Sequence, residues 1–314
     1  MSQARVAQIN EILKDLTDLK SRDFENVYAI DENIKFFEAL RSLPKYIKWL
    51  IKEMPKIDGS RLLELSDFHL ANGKWESILQ RELLVLEKKK FPDVLRDLRK
   101  EIVKQIESFA GAKEILLLVS IGSGTMEIEC QVIRDLRAMG STQKIIFVGI
   151  DNSEASIGAA QENLAELHIP VTRLQGINPQ TIQNMLLAAS NDQYRVFIFN
   201  GDALKLEEYF QSKSVDIVFH SRFKHHLPHT IKERFDEMLI KISNKIIEHD
   251  DLNGWFLLLF STIFNWRKPI LMNGAVFSCL RDPSIKELKL RVAPEWRLSA
   301  NPTGYLRTYI HASK

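Results

Sequence analysis

Apolar positions change their spacing once along the chain. Before Gly111 they recur at intervals of three and four. Val6, Ile9, Leu13, Leu16 and Leu19 form one series, and Ile34, Phe37, Leu40, Leu43, Ile47 and Leu50 form another. That period places each series on one face of a helix. Pro44 interrupts the second series and predicts a break or kink there. A third helix is predicted over residues 75–90. A fourth runs along Val94, Leu98, Ile102, Ile106 and Phe109, opened by Pro92 and Asp93. Gly59, Asn72-Gly73 and Pro92 mark the joints, and no alternating strand pattern occurs.

After Gly111, short apolar runs alternate with helical stretches. Ile115-Leu116-Leu117-Leu118-Val119 is followed by a helix over 128–139, then Ile145-Ile146-Phe147-Val148-Gly149-Ile150 and a helix over 153–167. Strands at 195–199 and 215–219, a helix over 230–247 and a strand at 255–260 come next. Nearly continuous apolar strands separated by helices predict an α/β fold: a doubly wound, mostly parallel sheet covered on both faces. Residues 295–298 and 305–311, joined by the turn composition Asn301-Pro302-Thr303-Gly304, predict an antiparallel edge pair and a seven-stranded sheet. Residues 170–194 are long for a helix-to-strand connection. They carry a helical piece at 181–189 and read as an insertion over the C-terminal edge of the sheet. The expected division is an all-helical region, 1–112, followed by an α/β domain, 113–314.

Composition narrows the class. A chain of 314 residues with 45% apolar content buries a core without staples and is not generally disordered. Two cysteines, Cys130 and Cys279, are too few for a disulfide framework and point to a reducing, cytoplasmic setting. The polar start Met1-Ser2-Gln3-Ala4-Arg5 lacks the apolar core of a signal peptide. The longest apolar run, residues 255–264, is shorter than the roughly 20 residues that span a bilayer, so it reads as a buried element. A formal charge of +2 gives no bulk push toward nucleic acid or an anionic membrane, although local basic patches stay open. Lys88-Lys89-Lys90 reads as a solvated helix end, with nucleic-acid contact as the alternative.

In an open parallel sheet, ligands bind outside the C-terminal ends of the strands. The first strand runs out into Val119-Ser120-Ile121-Gly122-Ser123-Gly124-Thr125-Met126-Glu127. Gly122 and Gly124 let the backbone turn sharply and approach a ligand, or simply make a strand-to-helix turn. A phosphate loop needs Gly-Lys-Ser/Thr, which is missing. A dinucleotide loop needs a third glycine where Glu127 stands, and Glu127 with Glu129 would repel a pyrophosphate while suiting the helix dipole. S-adenosylmethionine carries no phosphate; its ammonium and sulfonium are compatible with an acidic helix start. The second strand ends in Asp151-Asn152-Ser153, where Asp151 either accepts both hydroxyls of a ribose or caps the next helix. The third ends in Gly201-Asp202-Ala203. There Asp202 accepts from an adenine amino group and Ala203 offers a backbone N–H, or Asp202 is a turn aspartate.

Taken in order, four segments resemble the class I S-adenosylmethionine-dependent methyltransferases: residues 119–127, 149–153, 201–203, and 216–228 with His225-His226-Leu227-Pro228 at its end. The resemblance spans residues 113–311. It implies S-adenosylmethionine as cofactor, held by Ser120, Gly122, Ser123, Gly124, Glu127, Asp151, Asn152, Asp202, Ala203 and His220. Two positions depart from the family pattern. Ser120 stands where an acid is usual, with Glu127 as a replacement, and Met126 stands where a third glycine is usual. The stretch from Gly122 to Asp151 is also longer than usual. The loop is similar to those of some small-amine N-methyltransferases. The activity implied is methyl transfer to a small-molecule acceptor. The alternatives are a non-catalytic or weakly binding relative serving as an interaction module, or a protein or RNA methyltransferase.

Methyl transfer is an in-line displacement that needs positioning first, and a base only where the attacking atom carries a proton of high pKa. The candidate catalytic residues are His220, Ser221 and His225, with Arg222 and His226 beside them. His225 is a base, or else a surface or helix-capping histidine. His225 and His229 are four apart, but no acid stands at a matching ligand spacing and Pro228 interrupts, so no metal is expected. His220-Ser221-Arg222-Phe223 lacks the Asn/Asp-Pro-Pro-aromatic sequence of enzymes that methylate base amino groups. Trp255, Phe264, Trp266 and Trp296 read as core packing, or one of them faces a cation. The helical region is a lid that supplies substrate walls, by analogy of fold, or a stabilising or dimerising bundle. The expected partner is a small molecule, with neither membrane nor nucleic acid.

Overall fold

A computed structural model describes residues 3–22, 25–68, 74–75, 77–79, 82, 95–188, 192–227, 229–251, 266, 268–281, 296–301 and 304–310. The predicted strand at 255–260, the run Lys88-Lys89-Lys90 and most of the third helix lie outside the described residues, although Trp75 and Leu79 are helical. The chain divides into two compact units. Unit 1 comprises 1–83, 251–290 and 301–303; unit 2 comprises 84–250, 291–300 and 304–314.

Unit 1 contains α1 (Gln3–Lys20), α2 (Val27–Ala39) and α3 (Leu43–Lys52). Asn26 caps α2 by accepting from the Ala29 N–H at 3.1 Å. Pro44 sits in the first turn of α3, where its missing N–H costs nothing, so it separates two helices and kinks neither. Phe36 is the hub. Its ring meets Phe37, Trp49 and Phe277, each at 5.3 Å and edge-on, a geometry that aromatic quadrupoles favour. Buried polar groups close the same core. Asn273 Nδ2 donates to Asn33 Oδ1 at 2.8 Å, Asn33 donates to the Leu63 carbonyl, and Ser278 Oγ donates to Glu64 Oε1 at 2.7 Å.

Unit 2 is built on one sheet. Its strands are β1 (Ile115–Ile121), β2 (Lys144–Asp151), β3 (Val171–Leu174), β4 (Tyr194–Asn200), β5 (Val215–Ser221), β6 (Ser243–Asp251), β7 (Trp296–Asn301) and β8 (Gly304–Ile310), ordered β3-β4-β2-β1-β5-β6-β8-β7. Pairings from β3 through β6 are parallel. β7 and β8 are two residues apart along the chain, a link that only an antiparallel pair permits. The helices are α4 (Arg96–Glu107), α5 (Glu127–Ala138), α6 (Glu154–Glu166), α7 (Pro179–Ala188), the single turn α8 (Leu206–Tyr209) and α9 (Lys232–Ile242). Unit 1 adds α10 (Pro269–Arg281).

Strand alternation sends Leu116 and Leu118 to one face, against Leu98, Ile102 and Ile106 of α4, Ile133 and Leu136 of α5, and Ile157 and Leu164 of α6. Leu117, Val119 and Ile121 pack on the other, against Ile182 of α7, Leu206 of α8, and Phe235 and Leu239 of α9. Burial on both faces explains why β1 and β2 are almost wholly apolar. Each fully buried leucine or isoleucine contributes roughly 1.5–3 kcal/mol.

The expected doubly wound sheet with its antiparallel edge pair is present, with two corrections. The helix predicted over 230–247 ends at Ile242, and the strand beside β5 is β6, which begins at Ser243. Among the described residues the sheet has eight strands, and the stretch read as an insertion contributes one of them, β3, paired parallel to the outer side of β4. The helical piece of that stretch is present as α7.

Candidate functional site

The sheet order reverses at β1. The strands that follow β1 directly, β2, β3 and β4, lie on one side of it, with β3 at the edge and β4 returning between β3 and β2, and β5 and β6 lie on the other. The loop after β1 therefore lies at the switch point, with the C-terminal tips of β2, β4 and β5 along the same edge. Register brings the tips together: Ile121 lies beside Ile150 on one side and His220 on the other, and Asp151 lies beside Asn200.

The loop itself is tightly specified. Gly122 and Gly124 have φ of +58° and +53°, conformations that side chains rarely adopt. A Cβ on Gly122 would also sit 2.5 Å from the Phe223 ring. The Ser123 N–H donates to the Ile150 carbonyl at 3.1 Å. Asp151 ties the loop to the next strand tip: Oδ2 accepts from the Gly124 N–H at 2.8 Å and Oδ1 from the Ser153 N–H at 2.9 Å. The cap of α6 is Ser153, whose Oγ accepts from the Ser156 N–H. Asn152 follows Asp151 at the tip. Asp202 is exposed, with Oδ1 accepting from the Leu204 N–H at 2.8 Å, and Ala203 beside it is buried.

The two departures from the family pattern resolve differently. Met126 has φ of +55° and is fully buried in the cluster of Leu116, Leu118 and Cys130. Its Sδ and Cε lie 3.0 Å from where a Cβ on Gly149 would be, so the bare Gly149 backbone makes room for it. The side chain is part of the core. Ser120 is buried in β1 opposite Gly149. Glu127 is buried at the first turn of α5, where Oε1 accepts from Gln131 at 3.0 Å and lies 3.7 Å from Arg134.

His220, at the end of β5, is completely buried between Phe223 and Phe235, with ring centroids at 6.1 and 5.8 Å. Neither ring nitrogen has a hydrogen-bond partner among the described residues. Burial lowers its pKa, against the opposing pull of Glu248 at 3.8 Å, so the imidazole is neutral. Ser221 Oγ and His249 Nδ1 are 3.1 Å apart across the β5–β6 pair. His225 is neither at the surface nor a helix cap. It is buried, with Nδ1 2.7 Å from Oδ1 of the buried Asp250. Burial works to raise the Asp250 carboxyl, but the charge and hydrogen bond of His225 outweigh it and the net shift is downward.

Residues beyond those assigned from the sequence form a charged clamp here. Lys224 Nζ contacts both carboxylate oxygens of Asp236, at 2.6 and 2.7 Å, and lies 3.6 Å from Glu248. Arg307 bonds Asp236 at 3.1 Å and also bonds Glu248, and it lies 4.2 Å over the Trp296 ring. Burial pushes Glu248 up, but Lys224 and Arg307 hold it well below the ordinary carboxylate range. Trp296 thus faces a cation from its own chain, with Tyr309 beside it at 5.3 Å. No local pattern could have shown this clamp, because its members come from the loop after β5, α9, β6 and β8. Asp216, at the opposite end of β5, accepts from Lys113 at 2.8 and 2.7 Å and from the Leu117 N–H. Phe264, Trp255 and the side chain of His229 lie outside the described residues.

No family model matches the chain, and no curated protein matches it. Solved structures do. A proposed S-adenosyl-L-methionine-dependent methyltransferase from Methanococcus maripaludis is 12% identical, over 77% of this chain and 95% of that one, with a TM-score of 0.44. The plantazolicin methyltransferase BpumL, in complex with a desmethylplantazolicin analogue and S-adenosylhomocysteine, is 13% identical over 75% and 97%, with a TM-score of 0.42. The bifunctional kinase-methyltransferase WbdD is 13% identical over 69% of this chain, with a TM-score of 0.42, and the match spans only 39% of WbdD. The strand order, the switch-point glycine loop and the edge pair make a doubly wound, mostly parallel α/β sheet with the glycine loop at its switch point.

Proposed function

We propose that the chain binds S-adenosylmethionine at the switch point of unit 2 and transfers a methyl group to a small-molecule acceptor. One observation carries the reading. The carboxylate of Asp151 is anchored by the backbone N–H groups of Gly124 and Ser153, at the tip of the strand beside the glycine loop. A carboxylate oxygen accepts two hydrogen bonds, so this anchoring is compatible with ribose hydroxyls as further donors.

The residues present fit the cofactor. Gly122 and Gly124 offer bare backbone, and the buried Ser123 Oγ has no partner of its own. Asp151, with Asn152 beside it, would hold the ribose. Asp202 and Ala203 would meet the adenine. Ser120, Glu127 and His220 complete the assigned set. When bound, the cofactor supplies a methyl group already activated by a cationic sulfonium. The chain's part is to orient acceptor and methyl and to keep water out. His220 does so as a neutral buried ring. In this reading Ser221 and His225, hydrogen-bonded to His249 and Asp250, would serve the acceptor, and His225 in its neutral form would take a proton from the attacking atom. The low overall charge of +2 and the absence of an Asn/Asp-Pro-Pro-aromatic sequence after the β5 strand support a small acceptor over a nucleic acid.

Titration calorimetry with S-adenosylmethionine and S-adenosylhomocysteine is the direct test. Heat of binding is expected, with an affinity that Asp151→Ala weakens; no heat at millimolar cofactor sinks the proposal. A second reading, that the chain is a weakly binding relative serving as an interaction module, is favoured by Ser120, because Glu127 is engaged along α5 by Gln131 and Arg134. Binding without methyl transfer to any of a panel of small amines, phenols and thiols would favour it.

A further inference from the structure

The charge of the whole chain hides a segment. Residues 41–57 hold five basic side chains, Arg41, Lys45, Lys48, Lys52 and Lys56, against one acid, Glu53. Without that segment the remaining chain is net acidic. All six of these charged residues are exposed. Lys45, Lys48 and Lys52 make no ion pair among the described residues, whereas Lys56 pairs with Glu53 at 3.3 Å.

Most of this segment is α3, and the helix is apolar on more than its core face. Tyr46 and Trp49 turn inward and are buried in unit 1. Leu43, Ile47 and Ile51, spaced by four, line an adjacent face and are 48%, 46% and 65% exposed. At about 100° per residue, Lys48, Lys52 and Lys45 follow them around the helix. The result is a ridge with an aliphatic stripe and a lysine stripe side by side, both open to solvent.

Of three kinds of partner, two fit part of this surface at most and one fits all of it. A second copy of the chain would bring lysine against lysine. A single-stranded nucleic acid would use the lysines, but its bases stack on aromatic rings, and the exposed apolar residues here are aliphatic. A bilayer with anionic lipids takes both stripes. Aliphatic side chains enter the boundary between headgroups and acyl chains, and lysines lay their stems along it while the ammonium groups meet lipid phosphates and carboxylates. α3 has 10 residues, too few to cross a bilayer, so this helix would lie along the surface.

We propose that α3 is a membrane-surface contact selective for anionic lipid, with Leu43, Ile47 and Ile51 inserting and Arg41, Lys45, Lys48, Lys52 and Lys56 supplying the charge. The expectation of no membrane partner rested on the total charge and on the shortness of the longest apolar run, and it left local basic patches open; this surface is such a patch. The inference is independent of the methyltransferase reading.

The test is flotation of the full chain with vesicles of phosphatidylcholine alone or with phosphatidylserine added. Binding is expected only with phosphatidylserine, and it should fall steeply as salt rises. Ile47→Asp with Ile51→Asp should cut binding at least about tenfold, as should Lys48→Glu with Lys52→Glu, since each lysine contributes several-fold near an anionic surface. The four sites are exposed, so the thermal unfolding midpoint should hold in each variant; should the isoleucine pair misfold, the lysine pair decides. Equal binding to neutral vesicles, no binding to either, or binding that survives the lysine reversal overturns the proposal. So does light scattering that shows a dimer dissolved by Ile47→Asp, or retention on immobilised polyuridine in place of vesicles.

Discussion

The two ends of the sheet in unit 2 are finished differently. At the N-terminal end, Asp216 is buried and satisfied: Lys113 donates to both its oxygens and the Leu117 N–H to one of them. Lys213, with φ of +57°, donates from Nζ to the carbonyls of Ile240 and Ser243, closing the end of α9. His168, at φ +53°, ends α6 in the left-handed conformation that helix ends often take. At the C-terminal end the accounts stay open. Ser123 Oγ, Ser156 Oγ and both nitrogens of His220 are buried without a hydrogen-bond partner among the described residues. Met126 holds φ of +55° as the residue that begins a helix, and Arg222 holds +52° just past a strand, so neither ends a helix. Orphaned polar groups and left-handed backbone gather at the edge where the proposed cofactor site lies. The N-terminal end is arranged to hold the fold.

The largest expected effect breaks the comparison from the stable side. Asp216→Ala strips the buried Leu117 N–H and Lys113 of their acceptor and should cost about 2–3 kcal/mol in chemical denaturation. Cofactor affinity of the folded protein should be unchanged. A matching loss of affinity would mean that the two ends are not separable. Next comes Asp151→Ala on the other side. It should weaken S-adenosylmethionine binding by about thirtyfold, or 2 kcal/mol, in calorimetry, with a smaller change in stability than Asp216→Ala.

These two aspartates also show what was legible beforehand. Both stand in segments that resemble a family motif, and only the register separates their roles: one lies at the entry of a strand, the other at an exit. β1, β2, β4 and β5 were readable because strands buried on both faces are continuous apolar runs. β6 was not. Its sequence, Ser-Asn-Lys-Ile-Ile-Glu-His-Asp-Asp, shows two apolar residues among charges, and an isoleucine pair at that place continues the period of α9. The charges are tolerated inside because Glu248 meets Arg307, and Asp250 meets His225, partners that the chain brings from other elements. β3 has four residues with no fully buried side chain, too little pattern to see. The glycine loop, Asp151 and Asp202 were legible because turns and caps are local. The clamp of Lys224, Asp236, Glu248 and Arg307 was not, for the same reason that β6 was not.

The open end should also carry a cost that depends on pH. Burial lowers the pKa of His220 in the folded chain, while the unfolded chain protonates near its ordinary value of 6.5. Stability is therefore fully present above pH 6.5 and falls as the pH drops below it, by up to about 1.4 kcal/mol per pH unit. His220→Phe keeps the aromatic contacts with Phe223 and Phe235 and removes the titration. The stability profile between about pH 6.5 and 5 should flatten. Glu248 and Asp250, both held low, should still give a loss at more acid pH, because the unfolded chain takes up their protons first. An unchanged profile would mean that His220 is protonated inside the fold, paired to Glu248, and that this end is as satisfied as the other.

The smallest effect separates the two explanations of an orphaned group. Ser123 Oγ is buried, unpartnered, and 2.9 Å from where a Cβ on Gly149 would lie. If the hydroxyl is merely a packing defect, Ser123→Ala removes an unsatisfied group and raises stability by a few tenths to about 1 kcal/mol, with no change in ligand affinity. If it is kept for a ligand, the same gain in stability comes with a loss of about threefold to tenfold in S-adenosylmethionine affinity, the worth of one neutral hydrogen bond. Paired denaturation and calorimetry on this one variant distinguish these outcomes, and the second is expected. A group that lowers stability in the empty protein and raises affinity in the loaded one is what sets the C-terminal end of this sheet apart from the end at Asp216.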